Sequence, residues 1–197
     1  MKKNKTLLAV ILAFVLLLGG AYVLYDKLSR GMEPDRLAVQ DGAQTREDGE
    51  HSEAEAEKVP APDFTVYDRD NNEVHLSDFV GKPVVLNFWA SWCGPCRSEM
   101  PDFDEAYAEM GKEIHFLMVS MTTSDRESFE KAAALIDEQG YSFPVFYDLD
   151  GSAAAAYGVY SLPTTYFIDA EGYGVARATG AIDRETLEKG IGMITEQ

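Results

Sequence analysis

The sequence predicts an α/β domain built on a central mixed β-sheet flanked by helices, preceded by a membrane segment. Between Val84 and Tyr157, apolar runs of strand length alternate with stretches of helical spacing. That strand, helix, strand, helix, strand succession favours parallel pairing with right-handed crossovers. Nearer the C-terminus, two strands are separated only by Asp169-Ala170-Glu171-Gly172, a turn short enough to make an antiparallel hairpin, so the sheet is mixed. Ahead of all this, Thr6 to Tyr25 contains no charged residue.

The bulk numbers bound the reading. A chain of 197 residues, 46% of them hydrophobic, suffices for one well-buried domain with appendages. A net charge of -17 argues against nucleic acid or an anionic membrane surface as partner. Both would be repelled over a Debye length of about 8 Å at physiological salt.

The uncharged segment has the length of a bilayer crossing, since its residues as a helix would span roughly 30 Å. Gly19 and Ala21 have the small-residue character of a signal-peptide cleavage site, but Tyr22-Val23-Leu24-Tyr25 prolongs the apolar run, which favours an uncleaved anchor over residues 1–25. No Cys follows the run, so a lipoprotein-type anchor is excluded. Lys2, Lys3 and Lys5 precede the segment, and Lys27, Arg30 and Arg36 follow it, a slight positive-inside bias. A cytoplasmic N-terminus is preferred because the chemistry inferred below belongs on the outer face.

Residues 26–58 accumulate acids, including Asp41, Glu47, Asp48, Glu50, Glu53, Glu55 and Glu57, and sustain no apolar period. That composition reads as a flexible acidic linker, unable to offset its ordering entropy by burial. Residues 59–197 read as the folded domain. Within it, strands are expected at Phe64 to Tyr67, Val74 to Leu76, Val84 to Ala90, Ile114 to Met121, Phe143 to Tyr147, Thr164 to Ile168 and Tyr173 to Ala178. Helices are expected at Pro95 to Met110, Asp125 to Gln139 with Ser124 as N-cap, Ser152 to Tyr157, and from Asp183 towards Thr195.

The chain has two cysteines, Cys93 and Cys96, three apart where a buried strand turns into a helix. A thiol at a helix N-terminus faces unpaired N–H groups and the positive end of the helix dipole, which favours its thiolate. Cys93 is so placed. Cys96, one turn further in, can attack a mixed disulfide formed at Cys93. Such a pair runs redox catalysis without a cofactor. A zinc site would need four ligands, and the folded domain adds only His75 and His115, with no ligand-like spacing. A purely structural disulfide would close too small a loop to restrain much chain.

The stretch Val84-Val85-Leu86-Asn87-Phe88-Trp89-Ala90-Ser91-Trp92-Cys93-Gly94-Pro95-Cys96-Arg97-Ser98-Glu99-Met100-Pro101 resembles the thioredoxin superfamily, in particular the membrane-anchored TlpA/ResA/CcmG-like disulfide reductases. The resemblance implies a thioredoxin-like fold in which Asp125 to Tyr147 is an inserted helix-strand unit. It matches Pro101 to a kink in the active-site helix and Leu162-Pro163-Thr164 to a cis-proline loop that offers its backbone to substrate. On it, Cys93 and Cys96 are catalytic, and Trp92, Gly94, Pro95, Leu162 and Pro163 form the substrate-binding surface. Ala61-Pro62-Asp63-Phe64 and Leu76-Ser77-Asp78-Phe79 resemble redoxin domains generally, including peroxiredoxins. Peroxiredoxins, however, carry Pro and Thr or Ser where this chain has Leu86 and Ala90. Thioredoxins carry a buried Asp where this chain has Asn87, so the general base stays unassigned, with water and Glu99 as the options.

The expected function is extracytoplasmic reduction of protein disulfides by a monomer, re-reduced by a membrane thiol donor. Apocytochrome c is among the substrates the resemblance implies. An oxidase running the same pair in reverse, a thiol peroxidase and a non-catalytic redox-sensing module are the alternatives. Trp92 reads as a shield and partner surface, Trp89 as core, and Arg97 as a solvated side chain or an aid to the thiolate.

Overall fold

The computed structural model describes residues 37–39, 59–123 and 125–195. The expected anchor, most of the linker and Ser124 lie outside the described residues. Among the described residues no helix is long and apolar enough to cross a membrane.

The strands are β1 (Leu37–Val39), β2 (Val59–Pro60), β3 (Thr65–Tyr67), β4 (Glu73–His75), β5 (Val84–Trp89), β6 (His115–Ser120), β7 (Val145–Tyr147), β8 (Thr164–Ile168) and β9 (Tyr173–Thr179). They form one sheet in the order β1-β9-β8-β5-β6-β7-β3-β4, with β2 also pairing β9. β5, β6 and β7 are parallel, while β8 runs antiparallel to both β5 and β9. The sheet is therefore mixed, as the element succession and the hairpin predict. β1 falls inside the acidic segment and pairs Leu37 to Val39 with Ala178 to Ala176 of β9.

Helices α1 (Gly94–Met110), α2 (Phe129–Gln139), α3 (Ser152–Ala156) and α4 (Arg184–Thr195) complete the domain. β5 is buried along its whole length because both of its faces are covered. Val85 and Trp89 join Phe103 of α1, Ala132 of α2 and Leu187 of α4 in one apolar cluster. Val84, Leu86 and Phe88 join Phe64, Tyr157 and Tyr166 in a second. Full burial of a side chain such as Phe88 or Phe103 stabilises the fold by about 2–3 kcal/mol.

Two boundaries differ from the sequence expectation by more than one residue, each for an identifiable reason. β7 begins at Val145 rather than Phe143, because Pro144 has no N–H to donate to the ladder. α2 begins at Phe129 rather than Asp125, with Ser128 as its N-cap, its hydroxyl accepting from the Lys131 N–H at 3.4 Å. The residues before it are turned to another use, described below. α2 ends where expected, on Gly140 at φ 72°, a left-handed conformation that glycine takes without steric cost.

Gly190 lets α4 approach the sheet closely. A Cβ there would lie 2.3 Å from the ring of the fully buried Phe167. Gly192, two residues on, has nothing within 4 Å of the same position. A Gly190→Ala substitution is expected to lower unfolding stability by about 1–3 kcal/mol through overpacking. Gly192→Ala should be neutral or stabilising by up to about 1 kcal/mol through helix propensity. Urea unfolding of the two variants side by side checks both signs, and equal effects would refute the packing account.

Candidate active site

β5 delivers the chain to a turn, Ala90 to Trp92, that opens directly into α1. Cys93 is the N-cap of that helix, in extended conformation, and its Sγ accepts from the Cys96 N–H at 3.2 Å. Pro95 sits in the first turn, where a missing N–H costs no helical hydrogen bond. Cys93 and Cys96 are joined in a disulfide. The two sulfurs are unequally placed. Cys93 is 5% exposed and is flanked by exposed Trp92, Gly94 and Pro95, whereas Cys96 is 0% exposed. A Cβ at Gly94 would meet nothing within 4 Å, so this side of the turn is open.

The proline loop lies at the same end of the sheet. Leu162–Pro163 is a cis peptide. Antiparallel pairing of Phe88 with Thr164 sets Pro163 at the end of β5 from which the cysteine turn departs. Leu162 packs against the apolar cluster that contains both cysteines. The Gly180 N–H donates to the Pro163 carbonyl at 2.9 Å and the Thr164 hydroxyl to the Ser161 carbonyl at 2.9 Å, which hold the loop. All seven residues expected at the site from sequence therefore fall in two adjoining segments. Trp89, by contrast, is fully buried in the core.

Beneath the turn is a buried polar network. The Asn87 side-chain amide donates to Glu99 Oε1 at 2.9 Å and to the Thr165 hydroxyl at 3.0 Å. The other oxygen, Glu99 Oε2, accepts from the Ile182 N–H at 2.9 Å. Glu99 is 2% exposed, and burial pushes its carboxyl up to about 7 against the opposing pull of the Ile182 and Asn87 hydrogen bonds. Three residues beyond Cys96 on α1, it shares that thiol's buried helix face. Of the two options the sequence leaves for a proton acceptor, the structure thus puts one carboxyl on the same side of the helix as Cys96, near neutrality.

A second set of contacts was invisible in the sequence. Glu127, 3% exposed, accepts hydrogen bonds from the Ser91 N–H, from the Ser91 hydroxyl at 3.0 Å and from the Ser128 N–H at 3.1 Å. The Arg126 guanidinium lies over the Trp92 ring, 3.8 Å from its centroid. Both residues read as the exposed first turn of a helix, and no local signal marks them otherwise. Arg97 is exposed on the first turn of α1.

The AhpC/TSA family model matches residues 58–174. The chain belongs to the AhpC/TSA family. Among similar proteins, the thiol-disulfide oxidoreductase ResA of Bacillus anthracis is 33% identical over 99% of both chains. The pneumococcal exposed lipoprotein thioredoxin from Streptococcus pneumoniae is 36% identical, with a TM-score of 0.56 over 65% of this chain and 96% of the other. StoA from Bacillus subtilis, at 21% identity and a TM-score of 0.58 over 66% of this chain and 97% of the other, shares the fold. The architecture is thioredoxin-like. Within this AhpC/TSA chain, Leu86 and Ala90, which stand where peroxiredoxins carry Pro and Thr or Ser, are fully buried and apolar. They give Cys93 no hydroxyl neighbour.

Proposed function

We propose that this chain is a thiol-disulfide oxidoreductase that reduces protein disulfides on the outer side of a membrane. The observation that carries the reading is the asymmetry of the pair: Cys93 caps α1 beside an open turn, while Cys96 is buried on the helix face it shares with Glu99. In the reduced enzyme the Cys93 thiolate attacks a substrate disulfide. One S–S bond breaks, the first substrate sulfur leaves and takes a proton, and a mixed disulfide forms at Cys93. The Cys96 thiol then gives its proton to the Glu99 carboxylate and attacks Cys93 Sγ. The second substrate sulfur leaves as a thiolate and takes up the proton that Glu99 received, so two electrons have passed to the substrate and the Cys93–Cys96 disulfide remains. A carboxyl near 7 suits the acceptor, because the best general base has a pKa close to the working pH.

A dithiol donor in the membrane returns the enzyme to its reduced form. The uncharged span Thr6 to Tyr25 and the acidic residues after it would hold a monomeric domain near that donor and raise its effective concentration. Substrates are exported polypeptides that need free thiols, apocytochrome c among them. Trp92, Gly94, Pro95, Leu162 and Pro163 form the face that receives them.

A Cys96→Ser variant, expressed in its own cell, tests the mechanism. It is expected to accumulate polypeptides disulfide-linked to Cys93 that are released by dithiothreitol. If non-reducing separation finds none, the proposed order of attack is wrong. Direction is read from the reduction potential of the pair. Gly94-Pro95 resembles the dipeptide of reducing thioredoxins, and a value close to that of strong oxidants, about -120 mV, would reverse the assignment.

A further inference from the structure

Two contacts tie the loop before α2 to the disulfide turn, and the exchange chemistry uses neither. Glu127 is buried, and its carboxylate is satisfied by Ser91 and Ser128, so it acts as a latch on the residue two before Cys93. The latch sets the position of its neighbour Arg126, whose guanidinium rests on the Trp92 ring. Trp92 is 43% exposed and adjoins Cys93, so the stacked cation stands at the mouth of the reactive turn.

Stacking occupies one face of the guanidinium, and its N–H edge, which makes no hydrogen bond among the described residues, can donate in plane, the geometry that matches a carboxylate. Arg126 is exposed, and the ion pairs among the described residues are made by Arg69 and Arg184, not by it. Its surroundings sharpen the point. From Trp89 to Met100 the charged residues are Arg97, which is exposed, and Glu99, which is buried. Asp125, beside Arg126 in the chain, is exposed and joins none of those ion pairs. Two exposed arginines, Arg97 and Arg126, thus stand near the disulfide of a protein of net charge -17, with Asp125 the exposed acid next to Arg126 in the chain.

We propose that Arg126 is a specificity-determining residue that pairs with a carboxylate flanking the attacked cysteine of the substrate polypeptide. The proposal rests on the disulfide reductase reading above. Arg126 touches no reacting atom in it; the pairing orients the substrate disulfide over Cys93, and the Glu127 latch and the Trp92 ring hold the guanidinium ready.

The test compares two synthetic disulfide peptides that differ only in Glu or Gln beside the attacked cysteine, each reduced by the full-length chain. The readout is the ratio of their kcat/KM values, which a general loss of activity does not move. Wild type is expected to favour the Glu peptide by about 3- to 5-fold at low ionic strength, as an exposed ion pair allows, with the advantage in KM and fading with salt. Arg126→Gln should bring the ratio to unity, Arg126→Lys should retain part of it, and Arg126→Glu should invert it. Equal rates for wild type on the two peptides, or an unchanged ratio in Arg126→Gln, overturn the assignment alone. Failure of the reduced wild type to act on either peptide overturns the reductase reading and the assignment with it.

Discussion

A Cys93→Ser variant is expected to fold and to have no measurable disulfide reductase activity, a loss of at least about 10³-fold. The fold should persist for two reasons. Cys93 is the N-cap of α1, and serine is among the residues preferred there, so its hydroxyl can take over acceptance of the Cys96 N–H. The disulfide closes a loop with a sequence separation of only 3, and losing it is worth about 2 kcal/mol by chain entropy, which a core of this size tolerates. Activity should nevertheless disappear, because Cys96 is fully buried and cannot reach a substrate disulfide in its place. Circular dichroism together with reduction of a protein disulfide separates the two effects. If the variant keeps its fold and also keeps catalytic turnover, Cys93 is not the attacking sulfur. If the wild type has no turnover but binds partners as well as the variant does, the chain is a binding module.

The parts of the site that were legible in the sequence are those whose signals are local. The cysteine pair, the proline of the cis peptide and the hairpin turn each lie within a few consecutive residues, and the buried run of β5 announces the strand that leads to them. α1 and β8 fell within a residue of expectation for the same reason. What the sequence could not disclose is held across long chain separations. Asn87 stands out as the polar residue in an apolar strand, yet nothing local pairs it with Glu99, twelve positions on, or with Thr165, on the neighbouring strand. Glu127 and Ser91 are 36 residues apart. Helical periodicity around Phe129 extends naturally back over Arg126 and Glu127, and the tertiary hydrogen bonds to Ser91 outweigh it. β1 is a backbone pairing of three residues to the edge of β9, which needs no compositional mark.

Glu99→Gln is expected to weaken the pH dependence of both catalysis and stability near neutrality. In catalysis, wild-type resolution of the mixed disulfide should rise with an apparent pKa near 7 as Glu99 becomes able to accept the Cys96 proton. The variant should resolve about 10²-fold more slowly and follow instead the thiol's own ionisation at higher pH. In stability, the sign follows from which state holds the proton. The unfolded carboxyl ionises near the ordinary 4.5 and the native one near 7, so between those values the native state binds more protons and unfolding stability falls as pH rises. A pH unit or more above 7 the native protein carries the buried charge nearly in full, and the accumulated loss is about 3 kcal/mol. Glutamine carries no such charge. It can be accommodated by a flip of the Asn87 amide, whose Oδ1 has no partner among the described residues to lose. Oδ1 then receives the new amide N–H and the Thr165 hydroxyl while Gln Oε1 keeps the Ile182 N–H, and one buried Asn87 N–H is left unpaired in place of the acceptor, a cost that does not depend on pH. Asp148, also pushed up by burial, contributes a slope of the same sign in both proteins and cancels in the difference. Urea unfolding of the oxidised proteins at pH 5 and pH 8 should therefore show a drop in wild type that exceeds the drop in Glu99→Gln by about 2.5 kcal/mol, since at pH 5 the unfolded carboxyl is already mostly ionised. Equal drops would mean that Glu99 is already charged throughout that range, and a resolution rate independent of residue 99 would pass the role of proton acceptor to water.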